Sequence, residues 1–292
     1  MRIGAKLPNS GALPLEAGVP AMARTLETVG FDSLWVSDHI VMPREMKSWY
    51  PFADDGRATW PSDLPYFDSL IMLALAAAAT EHIRLGTAVL VLPLRPPIEF
   101  AKQAATIDAV SGGRLEFGVG AGWLAEEFEA LNVPFTGRGT RMTEWIEIAR
   151  DCWTGETSAH ATANYIVPEG IQCYPTPAHS IPFLIGGHSE IALRRAGTIG
   201  DGWLGQQEAL TLDADALAGE IARVAAAARA ADRPQEQPRV VLRIVGSLHN
   251  AAVVAAQLTA LEQIGVEEVI VDVPVDHDGA AADLATLRAG VT

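Results

Sequence analysis

The chain has 292 residues, 49% of them hydrophobic and 20% charged, with a formal net charge of −15. That hydrophobic share supports a large core and argues against disorder. The acidic balance disfavours nucleic acid and anionic membrane surfaces as partners, because phosphates need a basic face. The longest apolar run, Leu70–Ala79, is about half of the roughly 20 residues that a membrane-spanning helix needs. The first residues lack the basic-then-apolar pattern of a signal peptide. Cys152 and Cys173 are read as reduced thiols, because a chain of this size needs no covalent staple. The expectation is a soluble, cytosolic protein.

In chain order, a strand at Ile3–Leu7 leads to a helix with Leu15, Val19, Met22, Leu26 and Val29 on one face, closed by Gly30. A second strand, Ser33–Val36, runs into an irregular stretch, Ser37–Tyr66, that is rich in proline and holds two tryptophans and two tyrosines. Helix Ser69–Thr80, strand Arg84–Leu90, helix Pro97–Val110 and strand Arg114–Val119 follow. Helices then cover Trp123–Leu131 and Arg141–Trp153, and Gly155–Ile181 reads as loop with a short extra strand. Strand Pro182–Ile185, helix Ser189–Ala196, strand Asp201–Leu204 and helix Asp213–Ala231 come next. The polar segment Asp232–Arg239 is the best linker candidate, but the alternation continues on both sides of it. Strand Val240–Ser247, helix Ala251–Ile264, strand Glu268–Val273 and helix Ala280–Ala289 complete the chain.

Eight strands, each followed by helix, predict a parallel sheet closed as a (β/α)8 TIM barrel over residues 1–292 as one domain, with an extended loop after strand 2. Ligands of such barrels bind at the C-terminal ends of the strands, where the βα loops gather. Candidate chemistry is therefore sought in those loops.

Asp38 and His39 stand just past strand 2, where a histidine can shuttle a proton and a carboxylate can tune it; the alternative is a loop histidine bonded only to backbone. Gly118-Val119-Gly120-Ala121-Gly122-Trp123 and Ile185-Gly186-Gly187-His188-Ser189 are glycine turns leading into helices, suited to close ligand approach and to phosphate, or simply to tight barrel turns. The first of these lacks the spacing of a dinucleotide fingerprint. Arg138 and Arg141, near glycines, are either phosphate ligands or solvated surface arginines. Asp276-His277-Asp278 reads as a polar loop, since no second group has metal-ligand spacing with it, and no metal is expected. Trp49, Tyr50 and Trp60 in the long loop are candidate substrate contacts, or else an aromatic cluster on the outer surface.

Taken together, these segments resemble the luciferase-like monooxygenase superfamily, specifically its coenzyme F420-dependent oxidoreductases. The marks are GFDSLWVSDH (30–39), RLGTAVL (84–90), SGGRLEFGVGAGW (111–123), WTGE (153–156), IGGHS (185–189) and GDGW (200–203). The resemblance implies hydride transfer between the deazaflavin C5 and an organic substrate, with His39 over the reactive carbon and Asp38 at the ring edge. It implies a cis peptide at Ala88–Val89 that supports the ring. Gly120, Gly122, Gly186 and Gly187 would hold the ribityl and phosphate tail, with Trp123, Arg138 and His188 beside them. It further implies a homodimer served by a separate reductase that regenerates the reduced cofactor. In the family's sugar-phosphate dehydrogenases a glutamate acid follows the Gly-x-Gly turn. Trp123 stands there in this chain, which points away from sugar phosphates toward a more apolar substrate. Two other readings stay open: a monooxygenase using reduced FMN, and a non-catalytic barrel subunit.

Overall fold

The computed structural model describes residues 1–53, 55–58, 60–233 and 238–291, so Pro234–Gln237 of the candidate linker lie outside the described residues. The elements are β1 (Arg2–Lys6), α1 (Val19–Val29), β2 (Ser33–Val36), α2 (Ser69–Ala79), β3 (Arg84–Val91), α3 (Pro97–Ser111), β4 (Leu115–Gly120), α4 (Ala125–Ala130) and α5 (Arg138–Cys152). Then come β5 (His160–Ala161), β6 (Ile166–Val167), β7 (Phe183–Gly186), α6 (Glu190–Thr198), β8 (Gly202–Glu208), α7 (Ala214–Ala230), β9 (Arg239–Val245), α8 (Ala251–Gln263), β10 (Glu268–Val271) and α9 (His277–Ala289). Strands β1, β2, β3, β4, β7, β8, β9 and β10 pair in parallel and close into a barrel through β10 and β1. The extra strand expected between Gly155 and Ile181 is a small antiparallel hairpin, β5–β6.

Two local differences from the sequence expectation have plain causes. The first helix is divided: Leu15, 75% exposed, lies in a short π-helical turn, Pro14–Gly18, that precedes α1. Gly18, at φ +77°, interrupts the chain, and α1 starts after it with Pro20 in its first turn, where the missing N–H costs nothing. The second difference is β8, which continues to Glu208 because Gln206 and Gln207 stay in register with Arg243 and Ile244 of β9. That extension carries polar side chains to the mouth of the barrel.

Side chains alternate across each strand, so the interior is built in layers. The middle layer is apolar: Trp35, Leu184, Leu204, Val241 and Ile270 pack together with Ala88 and Val89. Trp35 fits because Gly4 and Gly86 flank it; a Cβ at either would lie 2.8 or 2.5 Å from the indole ring. Two residues toward the N-terminal ends lies a charged plug. There Arg84 bridges Glu116 and Glu268, both at 2.6 Å, and Arg239 reaches the same two carboxylates at 2.5 and 3.3 Å. Burial alone would raise the Glu268 pKa, but Arg84, Ser33 and Arg239 hold it below the ordinary range. Two residues the other way lies the layer that faces the βα loops: Lys6, Ser37, Ala88, Gly120, Gly186, Gln206, Arg243 and Asp272. The outward residues of the strands, Ile3, Leu34, Leu85, Phe117 and Val269 among them, pack under the helices as the main core.

Candidate active site at the C-terminal mouth

Half of the mouth layer carries almost no side chains. The Ala88–Val89 peptide is cis, and the β3–β4 register shifts between Thr87 and Leu90. The Val89 methyls turn into the barrel. A Cβ on Gly120 would lie 2.8 Å from Val89 Cγ2, and one on Gly186 would lie 2.7 Å from Val89 Cγ1. Packing against Val89 thus requires glycine at both positions, whatever their backbones go on to contact. Gly122 is likewise fixed by its φ of +86° and by Phe128 and Val91, 2.7 Å from its Cβ position. Gly187, at φ +115°, leads into α6, whose Ser189 side chain caps Ala192 N at 3.3 Å. Together Ala88, Val89, Gly120 and Gly186 make a smooth apolar floor.

Above this floor the long loop folds over the mouth. Asn9, buried after β1, pins both of its ends: its side-chain amide donates to Ser37 O at 2.7 Å and Phe67 O at 3.1 Å. The middle is fastened by α4 through two adjacent glutamates. Glu126 accepts from Lys47 N at 2.6 Å and from Ser48 Oγ at 2.6 Å. Glu127, 1% exposed, accepts from Ile40 N at 2.6 Å and faces His39 Nδ1 at 2.9 Å. A carboxylate can only accept, so Nδ1 of His39 carries a hydrogen, and in the neutral form of the ring Nε2 is the acceptor. The imidazole stands edge-on to Tyr66 and Trp123, with centroids 5.4 and 5.9 Å away.

Contacts continue around the rim from there. Trp123 meets Tyr50 at 5.0 Å and Trp60 at 6.2 Å, and Tyr50 meets Trp60 at 5.1 Å. The Tyr50 hydroxyl shares a hydrogen bond with Gln206, and burial raises its pKa. Gln206 pairs across the strands with Arg243, which holds Asp272 at 2.5 Å. Lys6 adjoins them and donates to Asn9 Oδ1 at 2.8 Å. Ser37 then closes the rim back to Tyr66, whose buried hydroxyl is pushed above its ordinary range. One stretch of the rim is therefore aromatic with a histidine, and the next is cationic.

The structure brings His39, Tyr50, Trp60 and Trp123 into one aromatic cluster. Three expectations need correction. Asp38 does not line the mouth: its carboxylate is 3% exposed, bound by Arg95 at 2.7 and 2.8 Å, Val91 N at 2.9 Å and Ser69 Oγ at 2.8 Å. With its acceptor sites taken, it braces the end of β3 instead of a ligand. His188 offers no free nitrogen: Nδ1 faces Glu220 at 2.9 Å and Nε2 accepts from Gln206 N at 3.0 Å, leaving its ring edge-on to Phe52 and Trp203. Trp49 is 65% exposed and packs beside Gly56, away from the rim.

Arg138 is half-buried at the start of α5, with Nε on Gly122 O at 2.8 Å and its guanidinium 3.8 Å from the Phe135 ring. Arg195 of α6 lies against Gly139, its Nε on Thr143 Oγ1 at 3.1 Å. Burial lowers the pKa of both, and neither has a carboxylate partner among the described residues. Arg141, by contrast, is spent on Pro134 O at 2.7 Å. Asp276 caps α9 through Gly279 N at 2.8 Å, with His277 62% exposed beside it. No cluster able to hold a metal ion, and no helix long and apolar enough to cross a membrane, occurs among the described residues.

Comparison with known proteins fits this geometry. A family model described as luciferase-like monooxygenase matches residues 6–287. The chain belongs to that family. An uncharacterised protein of Mycobacterium tuberculosis is 37% identical over 183 residues, 63% of each chain, so the match spans just under two thirds of that relative's length. The F420-dependent glucose-6-phosphate dehydrogenase of Amycolatopsis mediterranei is 29% identical over 182 residues, covering 61% of this chain and 50% of that one. Among solved structures, an F420-dependent secondary alcohol dehydrogenase holding an F420–acetone adduct superposes with a TM-score of 0.78 at 16% identity, covering 100% of this chain and 99% of that one. At that identity the likeness speaks for the fold, which is the same closed barrel.

The sequence reading missed Glu126, Glu127, Tyr66, Arg195, Lys6 and Arg243. Only Glu127 left a trace, as an acidic residue in an otherwise apolar register of the turn-and-helix segment Trp123–Leu131.

Proposed function

We propose that this protein is an F420-dependent oxidoreductase that moves a hydride between the deazaflavin C5 and an organic substrate. The observation that carries the proposal is the His39–Glu127 pair at the same barrel mouth as a floor nearly free of side chains. The floor suits a flat tricyclic ring, because Val89, Ala88, Gly120 and Gly186 leave no side chain standing above it. Arg138 and Arg195, guanidinium groups without carboxylate partners, suit an anionic tail. When bound, the deazaflavin supplies a two-electron carrier. The protein's own part is proton handling and orientation: Glu127 fixes the His39 tautomer, so Nε2 can take or return a proton as hydride moves. The Trp60 indole N–H is buried without an acceptor among the described residues, and a substrate oxygen would satisfy it. Trp60 and Trp123 favour a substrate with apolar surface over a sugar phosphate.

The relatives named for F420 support the cofactor, and a homodimer with a separate reductase for cofactor recycling completes the reading. The family description favours one second reading, a monooxygenase using reduced FMN. Binding separates the two. F420 is expected to bind the purified protein with a Kd of about 1 μM or tighter, near −8 kcal/mol, and FMN at least ~10-fold more weakly, about 1.4 kcal/mol. FMN binding as tight as F420 would transfer the assignment to the monooxygenase.

A further inference from the structure

The cationic side of the rim has no part in the chemistry above. Lys6 is the last residue of β1, and its side chain points into the mouth layer, two positions on from Gly4, which faces the barrel interior. Its Nζ donates to Leu7 O at 3.2 Å and to Asn9 Oδ1 at 2.8 Å, both neutral oxygens. No carboxylate lies within ion-pair distance of it among the described residues. An ammonium has three N–H donors, so one is left over. The groups that face Lys6 are Arg243 of β9, Asp272 just after β10, Asn9, and Ser37 beyond Asn9; Tyr50 lies near Arg243 and Tyr66 near Ser37. Arg243, 7% exposed, already spends its charge on Asp272 at 2.5 Å and on Ile244 O at 2.7 Å. Lys6 itself therefore has no ion-pair partner among the described residues, although Asp272 lies near it and Glu208 acts on Tyr50 farther along the same rim.

Resting on the oxidoreductase reading, we propose that Lys6, backed by Arg243, forms a subsite for a monoanionic carboxylate of the substrate. The substrate is then an apolar or aromatic carboxylic acid, its acid group on Lys6 and its body against Tyr50, Trp60 and Trp123. The third N–H of Lys6 is the donor for the carboxylate oxygen. The arrangement also explains a cost. Burial, then the Arg243 charge, lowers the Lys6 pKa to about 7, with Asp272 opposing. A bound carboxylate replaces the missing counter-charge and restores the protonated amine.

The linkage has a definite sign. Below pH 7 the free amine is already charged, and carboxylate affinity is flat. Above it the free amine is neutral, so each binding event takes up a proton and affinity falls by up to about tenfold per pH unit.

Benzoate is the probe and benzamide its neutral counterpart, each titrated into the intact protein by calorimetry. Expected at pH 6 is benzoate binding at least ~10-fold tighter than benzamide. Lys6→Met should abolish that difference, and Lys6→Arg should keep it. Benzoate affinity should fall with rising pH above 7 for the natural protein and stay level for Lys6→Arg, whose guanidinium remains charged. Equal binding of the two probes, unchanged discrimination in Lys6→Met, or a flat pH profile in the natural protein would each overturn the subsite. F420 titrated into the same proteins separates the two proposals. Benzoate discrimination without any F420 binding leaves the subsite standing and removes the cofactor reading. Loss of F420 affinity in Lys6→Met alone assigns Lys6 to the cofactor and removes the subsite.

Discussion

Replacing Glu127 by Gln tests the tautomer argument directly. The carboxylate does two acceptor jobs at once: Oε2 on His39 Nδ1 at 2.9 Å and Oε1 on Ile40 N at 2.6 Å, with Val41 N at 3.3 Å. A carboxamide has one acceptor oxygen and one donor NH2. With the oxygen on Ile40, the NH2 faces His39, which must turn Nδ1 into an acceptor and so carry its hydrogen on Nε2. With the oxygen on His39, the NH2 opposes the Ile40 N–H at the position of a 2.6 Å contact, and the loop must shift. The first arrangement keeps more hydrogen bonds and is the expected one.

The loss is that of a buried hydrogen bond to a charged acceptor, about 1.5–3 kcal/mol. If all of it falls on the transition state, turnover drops by roughly 10- to 150-fold, since 1.36 kcal/mol is one power of ten. F420 affinity should change by less than about threefold, because Glu127 is not part of the floor. The assay needs no substrate at first: 15N spectra of the histidine ring report which nitrogen is protonated. In the neutral form of the ring the natural protein should give His39 as Nδ1–H, and Glu127→Gln should give Nε2–H. An Nε2–H signal in both proteins would refute the orientation argument. Unchanged turnover in Glu127→Gln, once a substrate is found, would remove His39 from proton transfer.

Gly120→Ala should destabilise the protein by about 1–3 kcal/mol through overpacking, because its Cβ meets Val89 Cγ2 at 2.8 Å; chemical denaturation measures this. Adding Val89→Ala should recover most of the loss, and a double mutant that stays additive would show that the two do not touch. Asp38→Asn should cost about 1.5–3 kcal/mol by removing the nearer counter-charge of Arg95 and leaving it only Asp68, at 3.3 Å. Denaturation with a loss below about 1 kcal/mol would mean that Asp38 does not brace β3.

What could be read from the chain follows physical range. The order of strands and helices was legible because hydrophobic periodicity is local, and eight repeats of it leave few closed arrangements. His39 and the aromatic loop were legible because position after a strand fixes the face on which they lie. Asp38 was misread because nothing within the segment 30–39 shows that Arg95, 57 residues on, will take both its oxygens. The packing role of Gly120 and Gly186 was hidden for a similar reason. Their requirement comes from Val89, which enters the interior only through the bulge in β3. Glu127 was obscured because a solvent-facing glutamate and a buried one look alike in a short amphipathic helix.

The two ends of the barrel show which buried charges hold the fold and which are left for a ligand. At the N-terminal end, each carboxylate oxygen of Glu116 is met by a guanidinium, Arg84 on one side and Arg239 on the other, and Glu268 is met by the same pair together with Ser33. Arg2 joins them on Glu268 at 3.2 Å, and removing any member leaves a buried charge unmatched, a cost in stability. At the mouth the same kinds of group are arranged with one cation, Lys6, outside any ion pair among the described residues. Arg243 and Asp272 match each other, while Lys6 rests on neutral oxygens alone. An unmatched cation beside an aromatic wall would be a defect in a purely structural layer. The proposed subsite gives that cation its partner, on the rim that also carries the histidine and the floor.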